Sequence, residues 1–146
     1  MGKRRKSREL TLQLLYQYEI RKEPAEQILK EFWEQRNKIH HDIRSFSESI
    51  FTETLEHLEK IDGVISELSR NWKITRLSLV DKNILRFAIY EICYRNDIPE
   101  KVTVDEAIEV AKRFSGEDSG GFINGILDSL LQNKDAYMEK LSATPP

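Results

Sequence analysis

The sequence is sparing with residues that cross-link, kink or interrupt a chain. One cysteine in 146 residues rules out an internal disulfide. Cys93 lies in an apolar run with Ile89 and Ile92, which fits a small buried hydrophobe in a reducing compartment better than a reactive thiol. Four prolines and six glycines leave long uninterrupted stretches, favouring helices over the turn-rich pattern of a β-protein. No apolar run approaches the roughly 18 residues of a membrane span. The basic start gives way to an interrupted apolar pattern rather than a signal-peptide core, so a cytoplasmic location is expected. The three histidines, His40, His41 and His57, show no metal-ligand spacing with the single cysteine. His40-His41 reads as a solvated loop pair. A phosphate-binding glycine loop and a nucleophile elbow are both absent. The expectation is no enzyme, no catalytic residue, no metal and no cofactor.

What the sequence does have is charge, unevenly placed. Five of the six residues from 3 to 8 are cationic: Lys3, Arg4, Arg5, Lys6 and Arg8. Removing those five charges from the formal net charge of −2 leaves −7 on the rest of the chain. A mildly acidic body with one dense cationic segment suits a polyanion that docks at one place. Fixed positive charge releases the counterions condensed on a phosphate backbone, so nucleic acid is the leading candidate. A solvated tail is the plainer alternative. Against it, the run leads straight into an amphipathic helix starting near Ser7, where Arg5 and Arg8 would have fixed directions.

The periodicity is helical nearly everywhere. Leu10, Leu14, Leu15 and Tyr18 line a first helix ending near Pro24, and Ile28, Leu29, Phe32 and Trp33 line a second. Asp42 is the expected N-cap of a long segment marked by Ile43, Phe46, Ile50, Leu58, Ile61, Ile65 and Leu68. The pattern breaks at 71–78 around Trp72, with Thr75 or Ser78 as the next cap. Residues 80–94 are apolar on most sides, which predicts a central buried helix. Thr103 and Glu106 have capping-box spacing ahead of Ala107, Ile108, Ala111 and Phe114, and Gly116 closes that helix. Asp118 or Ser119 is the expected cap of a last helix carrying Phe122 to Leu131. The fold class is all-α, a compact bundle of about seven helices. Residues 1–146 read as a single domain with a basic arm at 1–8 and a frayed tail at 142–146.

Four glycines between 116 and 125 surround the start of that last helix. Such a turn exposes backbone N–H groups and admits close approach by another chain. Phe122 either stacks on an unpaired base or packs in the core, and Asn124 has groups for a base edge. Gly121 and Gly125, four apart, suit tight helix–helix packing. Asp118 repels phosphate, so it serves as a cap or a base-edge acceptor.

Several blocks in combination resemble the NusB family of bacterial transcription antitermination factors. They are Lys3-Arg-Arg-Lys-Ser-Arg-Glu9 with Leu14-Leu15-Tyr16, Trp72, Asp81-Lys-Asn-Ile-Leu-Arg-Phe-Ala-Ile-Tyr-Glu91, Thr103 to Lys112, and Phe122-Ile-Asn-Gly-Ile-Leu-Asp128. The resemblance is collinear from Lys3 to about Leu131. It implies two three-helix subdomains, a complex with the ribosomal protein NusE, and joint binding of single-stranded boxA in nascent ribosomal RNA within the transcription elongation complex. It places Arg4, Arg5 and Arg8 on RNA with Lys3 and Lys6, then Gln13 and Tyr16, and Asp118, Ser119, Phe122 and Asn124 as a second RNA segment. It places Arg76, Asp81 and Arg86 toward NusE. Gly120-Gly121 stands where many relatives carry a basic residue, which shifts phosphate binding toward the arm.

Two other classes share parts of this pattern. A NusB-like module also occurs fused to ribosomal RNA cytosine methyltransferases, but a cofactor loop and catalytic Rossmann domain are not in this sequence. A helical protein–protein adaptor is the other, with the arm incidental or touching anionic lipid. An apolar face left open on the central helix would take NusE or a second copy in a homodimer.

Overall fold

The computed structural model describes residues 2–70 and 77–142. These form eight α-helices and no strand: α1 Lys3–Arg21, α2 Ala25–Glu34, α3 His41–Glu56, α4 Leu58–Leu68, α5 Leu79–Tyr94, α6 Glu100–Ser115, α7 Glu117–Gln132 and α8 Lys134–Ser142. Trp72, Thr75 and Arg76 lie outside the described residues. Among those described, no helix is long and apolar enough to cross a membrane.

The helix ends follow local chemistry, with several departures from the sequence expectation. Helix α1 begins at Lys3, four residues early, so the cations belong to a helix rather than an arm. Helix α3 is capped by His40, whose Nδ1 accepts the Asp42 N–H at 3.1 Å, so His40 is not an idle loop residue. The long periodic segment is broken at His57, whose ring stacks on Tyr94 at 3.9 Å between centroids. The Thr103–Glu106 capping box does not form, because α6 starts earlier, after Pro99. Thr103 instead turns into the core and donates its hydroxyl to Glu91 at 2.9 Å.

Ser78 does cap α5, accepting the Asp81 N–H at 3.0 Å. Gly116, at φ 101°, makes the one-residue connection from α6 to α7, a conformation strained for any residue with a Cβ. Helix α7 therefore starts at Glu117, leaving Asp118 and Ser119 inside its first turn rather than capping it. Helix α8 carries too weak an apolar pattern to have been anticipated. It is anchored by buried Leu141, whose carbonyl accepts from Lys60 Nζ at 3.0 Å.

Helix α5 is the axis of the molecule. Ile84, Leu85, Phe87, Ala88 and Ile89 are fully buried, and it packs against α1, α3, α4, α6 and α7. Helix α1 gathers α2 and α3 on one side, while α6 and α7 complete a trio with α5 on the other. The buried apolar residues of both halves join in one continuous core. Among the described residues α5 is covered on most sides, with Val80 partly open at its start. The large apolar side chains exposed among the described residues are Tyr16 and Ile20 on α1 and Val102 and Phe114 on α6.

Candidate nucleic-acid interface

Placing the cationic segment on a helix divides it between two faces. Arg8 points inward and is 1% exposed. Its Nε and Nη2 donate to the two oxygens of buried Glu91 at 3.0 and 2.7 Å. Arg8 is thus a core ion pair joining α1 to α5, not a phosphate contact, because a carboxylate and not solvent faces it. Arg5 is half-committed: its Nε donates to Glu106 at 2.9 Å across to α6. Lys3 and Arg4 are exposed on the opposite side, toward α3, and Lys6 is half-buried. Arg4 lays its guanidinium over the Phe46 ring, 3.7 Å from the centroid. The cationic surface is therefore narrower than five charges: Lys3 and Arg4, with contributions from Lys6 and Arg5.

Gln13 and Tyr16 lie elsewhere. They line an apolar groove of about 320 Å³ with Leu12, Val80 and Phe114. That lining offers little to phosphate, and Tyr16 stands exposed within it. It also places Gln13 and Tyr16 beside Val80 at the start of α5, the residue before Asp81. Asp81 accepts a hydrogen bond from Ser119 Oγ at 3.2 Å, and its other oxygen is buried with no partner among the described residues. One residue expected to meet a protein partner thus touches one expected to meet RNA. Arg86 is 7% exposed and fully engaged. It donates from Nε and Nη2 to Asp62 at 2.8 Å each, from Nη1 to Asn83 at 2.9 Å, and also pairs with Glu19. Burial alone would lower its pKa, but Asp62 and Glu19 raise it. Arg86 is a structural hub rather than a partner contact, because its donors are spent inside the fold.

On α7, Asp118 and Phe122 are four residues apart and share one face. They line a groove of about 540 Å³ with Gly121 and Gly125, running to Leu68 at the end of α4. A Cβ at Gly121 or Gly125 would meet nothing within 4 Å among the described residues, so these glycines widen the groove and do not seat a packed helix. Gly120 is the tight one: a Cβ there would lie 2.9 Å from Lys112 Cγ of α6. Phe122 is partly buried against the core, and Asn124 is exposed about 200° further round the helix.

The two predicted RNA segments sit at opposite ends of α5. The α1 cations gather at its C-terminal end through Arg8–Glu91, and α7 meets its first turn through Ser119–Asp81. Asp81 and Tyr94 are about 20 Å apart along the helix at 1.5 Å per residue.

The family model described as NusB family matches residues 5–132. The chain belongs to the NusB family. Among relatives named transcription antitermination protein NusB, that of Thermodesulfovibrio yellowstonii is 42% identical, covering 90% of this chain and 93% of its own. That of Geobacter sulfurreducens is 45% identical, covering 89% and 94%. The solved T. maritima NusB superposes with a TM-score of 0.78 at 39% identity, over 90% of this chain and 92% of that one. A structure of antitermination factors NusB and NusE in complex with dsRNA shares the fold with a TM-score of 0.81 at 24% identity, over 91% of this chain and 98% of that chain.

Two features of this NusB-family chain escaped sequence reading. Arg95, just past α5, reaches the same Phe46 ring as Arg4, at 5.7 Å from its centroid. Phe114 reads as a core residue but is 39% exposed beside Tyr16. A motif search signals neither, since each depends on which side of a helix packing leaves open.

Proposed function

We propose that this chain is a non-catalytic, cytoplasmic RNA-binding antitermination factor that captures single-stranded boxA of nascent ribosomal RNA jointly with NusE. The observation that carries the reading is the exposed Lys3–Arg4 pair, ordered at a helix start on a family-matched chain that is otherwise net negative. Phosphates are held at that end. Asp118 and Phe122, toward the opposite end of α5, offer base contacts without positive charge. At roughly 3.4 Å per stacked nucleotide, the length of α5 alone corresponds to about six nucleotides. The groove of Tyr16, Val80 and Phe114 offers NusE an apolar surface, and Asp81 is the next residue along α5 from Val80.

Fluorescence anisotropy on boxA and scrambled RNA, with and without NusE, tests the proposal. Three contacts from Lys3, Arg4 and Lys6 give a slope of log K against log salt of roughly −2, rather than about −3.5 for five. NusE should tighten boxA binding selectively. Equal affinity for boxA and scrambled RNA in the presence of NusE refutes the reading.

A further inference from the structure

Beyond the predicted RNA residues, α1, α3 and the end of α5 enclose an open groove of about 560 Å³. Its cations come from widely separated positions: Lys3 and Arg4 from α1 and Arg95 from the turn after α5. Ser45 of α3 supplies a hydroxyl, Ser49 donates its own to Glu53, and the floor is Phe46, 7% exposed. The lining carries three cations against one carboxylate, Asp42. Asp42 is largely exposed and only 3.5 Å from Lys3 Nζ, a solvent-screened pair that a phosphate can displace. Arg4 rests one face of its guanidinium on Phe46, which leaves in-plane N–H donors directed outward. Arg95 is held in place by Asp97, accepting at 2.9 and 2.8 Å, with Nη1 3.4 Å from Ser49 Oγ and 4.0 Å from Glu53. Asp97 is itself 59% exposed, so water screens its charge. Two guanidiniums fixed around one aromatic ring beside the Ser45 hydroxyl form a preorganised donor set for a tetrahedral anion.

We propose that this groove is a phosphodiester subsite for single-stranded RNA, in which Arg95 is a phosphate contact and Ser45 donates to the same backbone. The proposal rests on the RNA-binding reading above and extends its cationic end from α1 across α3 to the end of α5. A strand entering at Lys3 and Arg4 then turns over Phe46 rather than running only along α1.

The test compares wild-type chain, Arg95→Gln and Ser45→Asp on boxA RNA with NusE, over a salt series, with circular dichroism of each. Ser45 is exposed, so Ser45→Asp leaves packing intact while adding a negative charge to the groove. Loss of one phosphate contact weakens binding about fivefold at 0.1 M salt and flattens the slope by about 0.7. Arg95→Gln should show both effects, and Ser45→Asp should weaken binding at least as much. Should Arg95→Gln lose helicity, Ser45→Asp decides alone. Wild-type affinity and slope in the folded variants overturn the groove while leaving the RNA reading standing. A wild-type chain that does not retain boxA over scrambled RNA overturns that reading and the groove with it.

Discussion

Replacing Arg8 by Met separates the two meanings of a cation in this segment. As a phosphate contact its loss would cost RNA affinity; as the partner of Glu91 its loss costs the fold. The Arg8 and Glu91 side chains are 2% and 0% exposed and share two hydrogen bonds. Arg8→Met leaves the Glu91 carboxylate buried with only the Thr103 hydroxyl against it. Removing one partner of such a pair destabilises by about 3–5 kcal/mol, most of it the cost of an uncompensated buried charge. For a chain of this length, about 3 °C per kcal/mol places the fall in Tm at roughly 10–15 °C. The double variant Arg8→Met/Glu91→Leu should recover much of that loss, since well-packed apolar groups substitute for a buried pair at little net cost. Urea denaturation followed by circular dichroism measures stability, and anisotropy measures the RNA salt slope per folded molecule. The slope should match wild type. Stability within about 1 kcal/mol of wild type, or a slope flattened by about 0.7, would refute the assignment and return Arg8 to the RNA surface.

Asp81→Lys reverses a charge favourable to the α5 N-terminus and breaks the Ser119 contact, so a stability loss of about 1 kcal/mol is expected. If Asp81 meets a NusE cation, isothermal titration should show affinity for NusE falling at least about 30-fold; wild-type affinity moves the docking surface away from α5. Phe122→Ala should weaken boxA binding by roughly 1–3 kcal/mol without changing its salt slope, whereas a lowered Tm with intact affinity makes Phe122 a core residue only. Burial pushes the Cys93 thiol from 9.0 up to about 11, so the native protein should resist thiol reagents at pH 8 and react only on unfolding. Its pKa is raised in the folded state, so as pH climbs past 9 the unfolded chain loses the proton first and stability declines toward pH 11. A native-state thiol that titrates near 9 contradicts this.

The sequence by itself determined the helical class, the central place of α5, and the family, because these rest on local periodicity and on collinear blocks. Leu10, Leu14 and Leu15 mark a buried stripe wherever they occur, and residues 80–94 are apolar on too many sides for a surface helix. Charge along a sequence, in contrast, carries no record of what stands opposite it. Five neighbouring cations read as one patch, yet a helix turns each residue 100° from the last. Tertiary packing then set Arg8 against Glu91, Arg5 against Glu106, and Lys3 and Arg4 toward α3. Thr103 and Glu106 fit a capping box locally, but α6 begins earlier, after Pro99, and the two side chains meet Glu91 and Arg5 on other helices. Arg86 and Asp81 belong to one motif, and packing spent the first on Asp62 and Glu19 while leaving an oxygen of the second unpaired among the described residues. Arg95 joined the cationic groove only because the end of α5 arrives beside α3. Which charges remain available to a partner is settled by burial and by the opposing charge on another helix, and both are properties of the folded chain alone.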